Sequence, residues 1–471
     1  MTNLRAAYSP KSFRENAHEL VDILADYLES AQNQTDETVI PFQSPEDNLA
    51  FWQADFEAGI DPNPNNLFKT IIQKSTHLHH PKYMGHQVGV VAPIAASVSM
   101  LTALLNNGMA VYEMGLVSNP LEKIVTDLMA KHIGFDSNSN GLLTSGGTLA
   151  NLTALLAARA KFTDVWDGGN AEKLAVMVSE EAHYCIDRAA RIMGMGSDGI
   201  IKVPVNERFQ IRTDLLEKYY QDATDKGYRV IAIVGSSCST STGSYDDLVS
   251  IAQFAKSKNI WLHVDGAHGG AAIFSEKYKY LVAGIEQADS VVIDWHKMLM
   301  TPALATALIF KNGDDAYQTF HQKAQYLWAN QTSQDWFNSG KRTFECTKLM
   351  MSVKVYTILK TYGVEILGEN VDYLYDLGRE FANMIGQNAN FDLAIEPQSN
   401  IVCFAPKIIE RDFTAEIRKR ILEKGNFYIV QTSIREKTYL RVSLMNPLTT
   451  TNDLKDLLDE IESINQQLIS Q

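Results

Sequence analysis

Cysteine is scarce in this sequence, with four in 471 residues, and Cys185, Cys238, Cys346 and Cys403 lie far apart with no CxxC spacing. That excludes a zinc ribbon or a disulfide scaffold and fits a reducing, cytoplasmic compartment. Positive charge is also in deficit: 42 Lys and Arg stand against 56 Asp and Glu, a net charge of −14. Such a balance argues against a nucleic-acid or anionic-membrane surface as partner. Long apolar runs are few. The stretch Met1 to Pro10 lacks the continuous apolar segment of a signal peptide. Val88 to Leu105 is long enough to raise a membrane question, but Gly89, Pro93, Ser97, Ser99 and Thr102 interrupt it, and it reads as a buried helix. His77, His79 and His80 have neither helical spacing nor an acidic partner, so no metal site is expected there.

What is present is an ordinary globular composition, 45% hydrophobic and 21% charged, in a chain too long for one core. Ser12-Phe-Arg-Glu15 is a capping-box pattern, and Phe13, Ala17, Leu20, Val21, Leu24, Tyr27 and Leu28 form the stripe of an amphipathic helix. Pro41, Pro45, Pro62 and Pro64 then predict an irregular arm. From Leu142 onward, apolar runs at Leu174–Val178, Val230–Val234, Ile260–Val264, Val291–Ile293 and Leu304–Phe310 alternate with helical stretches such as Leu149–Lys161 and Leu248–Lys258. This alternation predicts a mainly parallel sheet covered on both faces. Past Phe344, two helical patterns precede short strands at Phe391–Ile395, Ile401–Phe404, Phe427–Val430 and Tyr439–Leu444, and a helix closes the chain from Leu454 to Ile464. The expected division is an N-terminal helical segment and arm (1–90), a large α/β domain (91–345) and a small α+β domain (346–471).

In open α/β sheets ligands bind beyond the carboxyl ends of the strands. Five such places stand out. Leu142-Leu-Thr-Ser-Gly-Gly147-Thr148 is a strand, a glycine turn and a helix start, suited to a phosphate. Val176-Met-Val-Ser-Glu-Glu-Ala-His183 puts a histidine just past a strand, where it either stacks on a ring or is a core histidine bonded to backbone. Ser236-Ser-Cys-Ser-Thr240 is a hydroxyl-rich loop or an ordinary capping turn. Ile260-Trp-Leu-His-Val-Asp265-Gly-Ala267 ends in a carboxylate followed by small residues that admit a flat group, unless Asp265 is a helix cap. Ser290-Val-Val-Ile-Asp294-Trp-His-Lys297 ends in an amine, either reactive or merely solvated with its stem buried. A carboxylate and a lysine at neighbouring strand ends fit pyridoxal phosphate, the carboxylate keeping the pyridine nitrogen protonated and the lysine forming a Schiff base. Lys297 must be neutral to attack an aldehyde, and burial is expected to lower its pKa.

Ser-x-x-Ala-His around His183, His-Val-Asp-x-Ala around Asp265 and His-Lys at Lys297 together resemble the group II pyridoxal-phosphate-dependent amino acid decarboxylases, relatives of the aromatic amino acid, glutamate, cysteine sulfinate and diaminobutyrate enzymes. The resemblance runs from about Leu20 to the end of the chain. It implies a fold-type-I architecture, a homodimer with sites between subunits, and α-decarboxylation of an L-amino acid. It makes Lys297 the Schiff-base lysine, Asp265 the pyridine-nitrogen partner and His183 the ring-stacking residue. Gly147 and Thr148 would hold the phosphate, Ala267 would pack beneath the ring, Thr240 would lie near the cofactor, and His296 is the histidine before the lysine. Tyr326 falls where relatives carry a mobile-loop tyrosine that returns a proton to Cα. Arg441 matches the arginine that receives the substrate carboxylate, and His86 and Gln87 align with the pocket-lining segment. The chain departs from better-known members at Asp294, where asparagine is usual, at Trp295, which replaces proline, and at Gly266 and His268. An added negative charge near the phosphate, at Asp294, would be repulsive unless paired. Because lysine and carboxylate alone do not select the bond that breaks, an aminotransferase or aldehyde synthase is the alternative activity.

Overall fold

The Val-, Ile- and Leu-rich runs become a seven-stranded sheet in the computed structural model, which describes residues 3–320, 335–407 and 411–470. Its strands are β1 (Asn140–Thr144), β2 (Lys173–Ser179), β3 (Ile200–Val203), β4 (Tyr228–Ser236), β5 (Trp261–Asp265), β6 (Ser290–Asp294) and β7 (Thr306–Phe310), in the order β1-β7-β6-β5-β4-β2-β3. β6, β5, β4, β2 and β3 pair in parallel. β7 runs against both of its neighbours, so β1 again points with the parallel set. The carboxyl ends of β1, β6, β5, β4 and β2 therefore share one edge, which is where the five candidate segments lie.

Burial accounts for this sheet. All five residues of β5, β6 and β7 are buried, as the continuous apolar pattern of central strands requires. β3 escaped the sequence pattern because it is an edge strand of four residues, only one of them fully buried. The Gly147–Phe162 helix buries Ala150, Ala154, Ala157 and Ala158 in one cluster with Val176, Val178 and Val234. Alanines at helical spacing let its backbone lie close to the sheet, which brings its first turn to the site.

The chain divides into two compact units, Gln87–Arg379 with Ile395–Val402, and Met1–His86 with Glu380–Ala394 and Cys403–Gln471. The sheet above belongs to the first. The second carries β8 (Phe391–Leu393), most of β9 (Ile401–Pro406, from Cys403 on), β10 (Val430–Ile434) and β11 (Lys437–Ser443), in the sheet order β10-β11-β9-β8.

Several local expectations are corrected. The first long helix is Pro10–Gln32, capped by Ser9, whose hydroxyl accepts from Ser12 N at 3.3 Å, so Ser12 is not its cap. The predicted arm is largely helical: Pro45–Glu57 and Pro64–Lys74 are helices with proline in the first turn. Proline there forfeits no hydrogen bond and supplies the helical φ, so it starts these helices instead of breaking them. Pro93 likewise starts the Pro93–Leu105 helix, which is shorter than Val88–Leu105 and not wholly buried, with Leu101 and Leu104 51% and 65% exposed. The expected Phe427–Val430 strand begins at Val430; its hairpin turns through Arg435 and Glu436 at φ 48° and 67°, without the glycine or asparagine that marks such turns in a sequence. Among the described residues no helix is long and apolar enough to cross a membrane, and no group of His, Cys, Asp and Glu is placed to hold a metal ion. His77 is occupied by the carbonyls of Thr38 and Ile72.

Candidate active site

Strand ends converge on a cleft of about 270 Å³ lined by Gly147, Thr148, His183, Thr240, Asp265, Ala267, His296 and Lys297, the residues expected to hold the cofactor. One end is the turn between β1 and the following helix. Gly146 sits at φ 108°, a conformation that side chains disfavour, and it opens the helix at Gly147. A methyl at Gly147 would stand 3.5 Å from Ala267 Cβ and 3.3 Å from Asp294 Oδ1, so glycine keeps this end open. The free N–H groups of the first turn, with the hydroxyl-bearing Ser239 and Thr240 around the cleft, form a donor set suited to a phosphate.

Asp265, the last residue of β5, is 9% exposed, and its Oδ1 accepts from Ala267 N at 3.2 Å. A carboxylate this buried in a cleft suits a cationic ring nitrogen. His183 caps the Tyr184–Ile192 helix, with Nδ1 accepting from Cys185 N at 3.4 Å, and burial lowers its pKa. The glycines after Asp265 do not admit a ligand: a methyl on Gly266 would meet Val292 O at 2.9 Å, and Gly270 faces Ile293. They serve packing beneath the site, and Ala267 alone of that group lines the cleft with His268. The small residues after Asp265 thus divide: Ala267 borders the cleft, while Gly266 and Gly270 pack against β6.

Lys297 Nζ lies 3.1 Å from Asp294 Oδ2. Burial pushes the ammonium down, but Asp294 and then Asp265 push it up by more, so the net direction is upward. The expectation that desolvation neutralises this lysine is thereby reversed, because two carboxylates within one small cleft outweigh it. His296 bonds through Nδ1 to Ala305 O at 2.8 Å, and its Nε2 is 3.7 Å from Asp294 Oδ2. Gly89 N donates to His296 O at 3.3 Å, and a side chain on Gly89 would run into the Lys297 carbonyl.

Asn151, Cys185 and Leu304 also line the cleft and were missed from sequence, while Ser239 lines it from the hydroxyl-rich loop. Asn151 had a signal, since it lies four residues after Gly147 on one helix face. It is held by a buried chain: Trp261 Nε1 donates to Ser290 Oγ at 2.8 Å, Ser290 Oγ meets His263 Nδ1 at 2.8 Å, and His263 Nε2 meets Asn151 Oδ1 at 2.7 Å. Burial drives His263 down to about 4, so the ring is neutral and bonds to Asn151 as donor and to Ser290 as acceptor. Asn151 Nδ2 then donates to Cys185 Sγ at 3.4 Å.

The remaining expected residues are placed elsewhere. Tyr326 lies outside the described residues. His86 and Arg441 belong to the second unit, where Arg441 is buried on β11 and the His86 ring is 5.8 Å from that of Tyr428. Burial, then Arg441 and Arg418, lower the His86 pKa. Gln87 opens the first unit with Nε2 buried and unbonded among the described residues.

A family model described as "Pyridoxal-dependent decarboxylase conserved domain" matches residues 43–407. The chain belongs to the pyridoxal-dependent decarboxylase family. This decarboxylase is 24% identical to the aromatic-L-amino-acid decarboxylase of Bacillus atrophaeus over 98% of its length and 97% of the relative's. It is 28% identical to the aspartate 1-decarboxylase of Aliivibrio fischeri, covering 86% of this chain and 83% of that one. The crystal structure of mouse CSAD in apo form superposes with a TM-score of 0.88 at 23% identity, over 96% of this chain and 99% of that one. The fold is also that of Rhodiola rosea 4-hydroxyphenylacetaldehyde synthase, at TM-score 0.86 and 19% identity, over 98% of this chain and 99% of the other. The decarboxylase is thus a fold-type-I α/β enzyme whose cofactor is pyridoxal phosphate.

Proposed function

We propose that this enzyme removes the α-carboxylate of an L-amino acid and releases the amine and carbon dioxide. The observation that carries the reading is the single cleft in which Lys297, Asp265, His183 and the Gly147–Thr148 turn come together. Bound pyridoxal phosphate supplies an aldehyde that links to amines and a ring that takes up the electron pair left by departing carbon dioxide. Lys297 would be the covalent anchor, offering its amine to the cofactor's aldehyde when no substrate is bound. Asp265 holds a proton on the ring nitrogen, Gly147 and Thr148 receive the phosphate, and His183 takes the stacking position. Ala267 would pack beneath the ring, and Thr240 and His296 would help to enclose it. His86, Gln87 and Arg441 keep their assignment as substrate readers on the resemblance of their segments, Arg441 for the α-carboxylate. Tyr326 is assigned the return of a proton to Cα.

A panel of amino acids with aromatic, acidic and amino-bearing side chains, including diaminobutyrate and cysteine sulfinate, tests the reading by amine and carbon dioxide release. Equal amounts of the two from one substrate class are expected. Aldehyde with hydrogen peroxide in place of amine would move the enzyme to the aldehyde-synthase reading. Tyr326→Phe, which removes a hydroxyl and keeps the ring, should lose more amine than carbon dioxide and gain aldehyde. Amine at the parental rate in that variant would place the proton donor elsewhere.

A further inference from the structure

The sequence sets a carboxylate three residues before the anchoring lysine, and the fold turns it onto that lysine. Asp294 ends β6 with its side chain 2% exposed. Oδ2 lies 3.1 Å from Lys297 Nζ and 3.7 Å from His296 Nε2, and Oδ1 accepts from the Thr306 hydroxyl of adjacent β7. The backbone N of Asp294 donates to Ala267 O at 3.1 Å, which locks the strand end to the segment after Asp265. A methyl at Gly147 would stand 3.3 and 3.4 Å from the two carboxylate oxygens. The carboxylate therefore lies against the first turn of the Gly147–Phe162 helix, where a negative charge is favoured. The end of the cleft suited to the phosphate already carries an anion of its own, and Lys297 is the cation that balances it.

We propose that Asp294 is the positioning residue for Lys297: its carboxylate holds the amine in the cleft as an ammonium ion, and this pair must open before the lysine takes up the cofactor. The inference rests on the reading of Lys297 as the anchor. Joining the lysine nitrogen to the cofactor's aldehyde carbon releases one water and requires a free amine, so one proton must first leave the ammonium for solvent. The other titratable groups facing the pair are Asp265 at the end of β5, His183 and Cys185 at the start of their helix, Cys238 after β4, and His296 beside the lysine. Burial keeps both thiols protonated and lowers His183, which leaves Asp265 as the second anion acting on Lys297. Removing the Asp294 charge lets burial act against Asp265 alone.

The test uses the full chain, stripped of cofactor with hydroxylamine, then mixed with pyridoxal phosphate between pH 5 and 10 and reduced with borohydride. Mass spectrometry of the Lys297 peptide gives the trapped fraction and its pH midpoint, without any turnover assay. Asp294→Asn should move the midpoint down by roughly one to three units, the effect of an opposite charge at this range, and speed trapping at neutral pH by about tenfold or more. Asp294→Glu, which keeps the charge, should stay near the wild-type midpoint. An unmoved or raised midpoint in Asp294→Asn overturns the proposal, and so does Asp294→Glu shifting as far as the amide. Where circular dichroism finds Asp294→Asn unfolded, Asp294→Ser is judged by the same shift. Absence of any adduct at Lys297 in the wild type would instead defeat the anchor assignment, a separate failure.

Discussion

At the residue scale, the site is a set of charges confined to one cleft, and each has a different task. Lys297→Ala should abolish both turnover and the borohydride-trapped adduct, because Lys297 is the lysine that lines the cleft. Persistence of either would remove Lys297 from the mechanism. Asp265→Ala should retain cofactor yet lose roughly two to three orders of magnitude in rate, the cost of taking one partner from a buried charge pair. A variant with unchanged rate and spectrum would make Asp265 structural. Gly89 also acts through space: its missing side chain leaves room for the Lys297 carbonyl. Gly89→Ala should lower stability by about 1–3 kcal/mol, as overpacking does, and should shift the lysine enough to reduce cofactor occupancy. Thermal melts and absorbance of the purified variant check both, and a normal melt with full occupancy would show that the loop yields freely.

At the scale of elements, β5 and the Gly147–Phe162 helix are tied by the chain from Trp261 through Ser290 and His263 to Asn151. That tie has a pH dependence. His263 titrates near 6.5 in the unfolded chain and at about 4 in the fold, so the unfolded state binds the extra proton between those values and stability falls as pH drops through that window. The loss amounts to about 3 kcal/mol. Buried Asp246, which accepts from Ile211 N at 2.7 Å and Ser236 N at 2.8 Å, works in the opposite sense. Burial raises it to about 6 from 3.8, so the fold binds its proton first and stability rises as pH falls from 6 to 3.8. The two contributions oppose each other in the intact protein. His263→Gln should uncouple them: urea melts between pH 7 and 4 should show the variant gaining on the wild type by about 3 kcal/mol. A constant difference across that range would mean that His263 is not held neutral by the fold.

At the scale of the whole molecule, a chain carrying −14 leaves large apolar faces open. Leu101, Leu104, Leu105, Phe344 and Leu349 are 51% to 68% exposed in the larger unit, and Phe13, Val21 and Leu24 are exposed on the first long helix. We read these faces as covered by a second copy of the chain, the homodimer that the family resemblance implies. Sedimentation at micromolar concentration should give a dimer, and an active monomer would overturn this. Deleting residues 1–40 should weaken the dimer or cause aggregation; a well-behaved dimer after deletion would show that the N-terminal helix takes no part.

The sequence by itself determined the alternation of strand and helix, the order of the five strand-end segments, and the placing of Lys297, Asp265 and His183 at or just past strand ends. It could do so because central strands are buried on both faces and leave a continuous apolar trace, and because reactive groups stand out where such a trace ends. It misjudged the prolines at 45, 64 and 93, since proline starts a helix or breaks one according to its position in the turn, and no local pattern fixes that position. It missed β3 because an edge strand need not be apolar. Only the tertiary structure decided which groups oppose one another. Asp294 and Lys297 are neighbours in sequence, yet the sign of the lysine's pKa shift depends on Asp265 from another strand and on the depth of the cleft. Gly89 and the Lys297 carbonyl, or Asn151 and His263, are more than a hundred residues apart and meet only when the sheet forms, because such contacts arise from packing between segments.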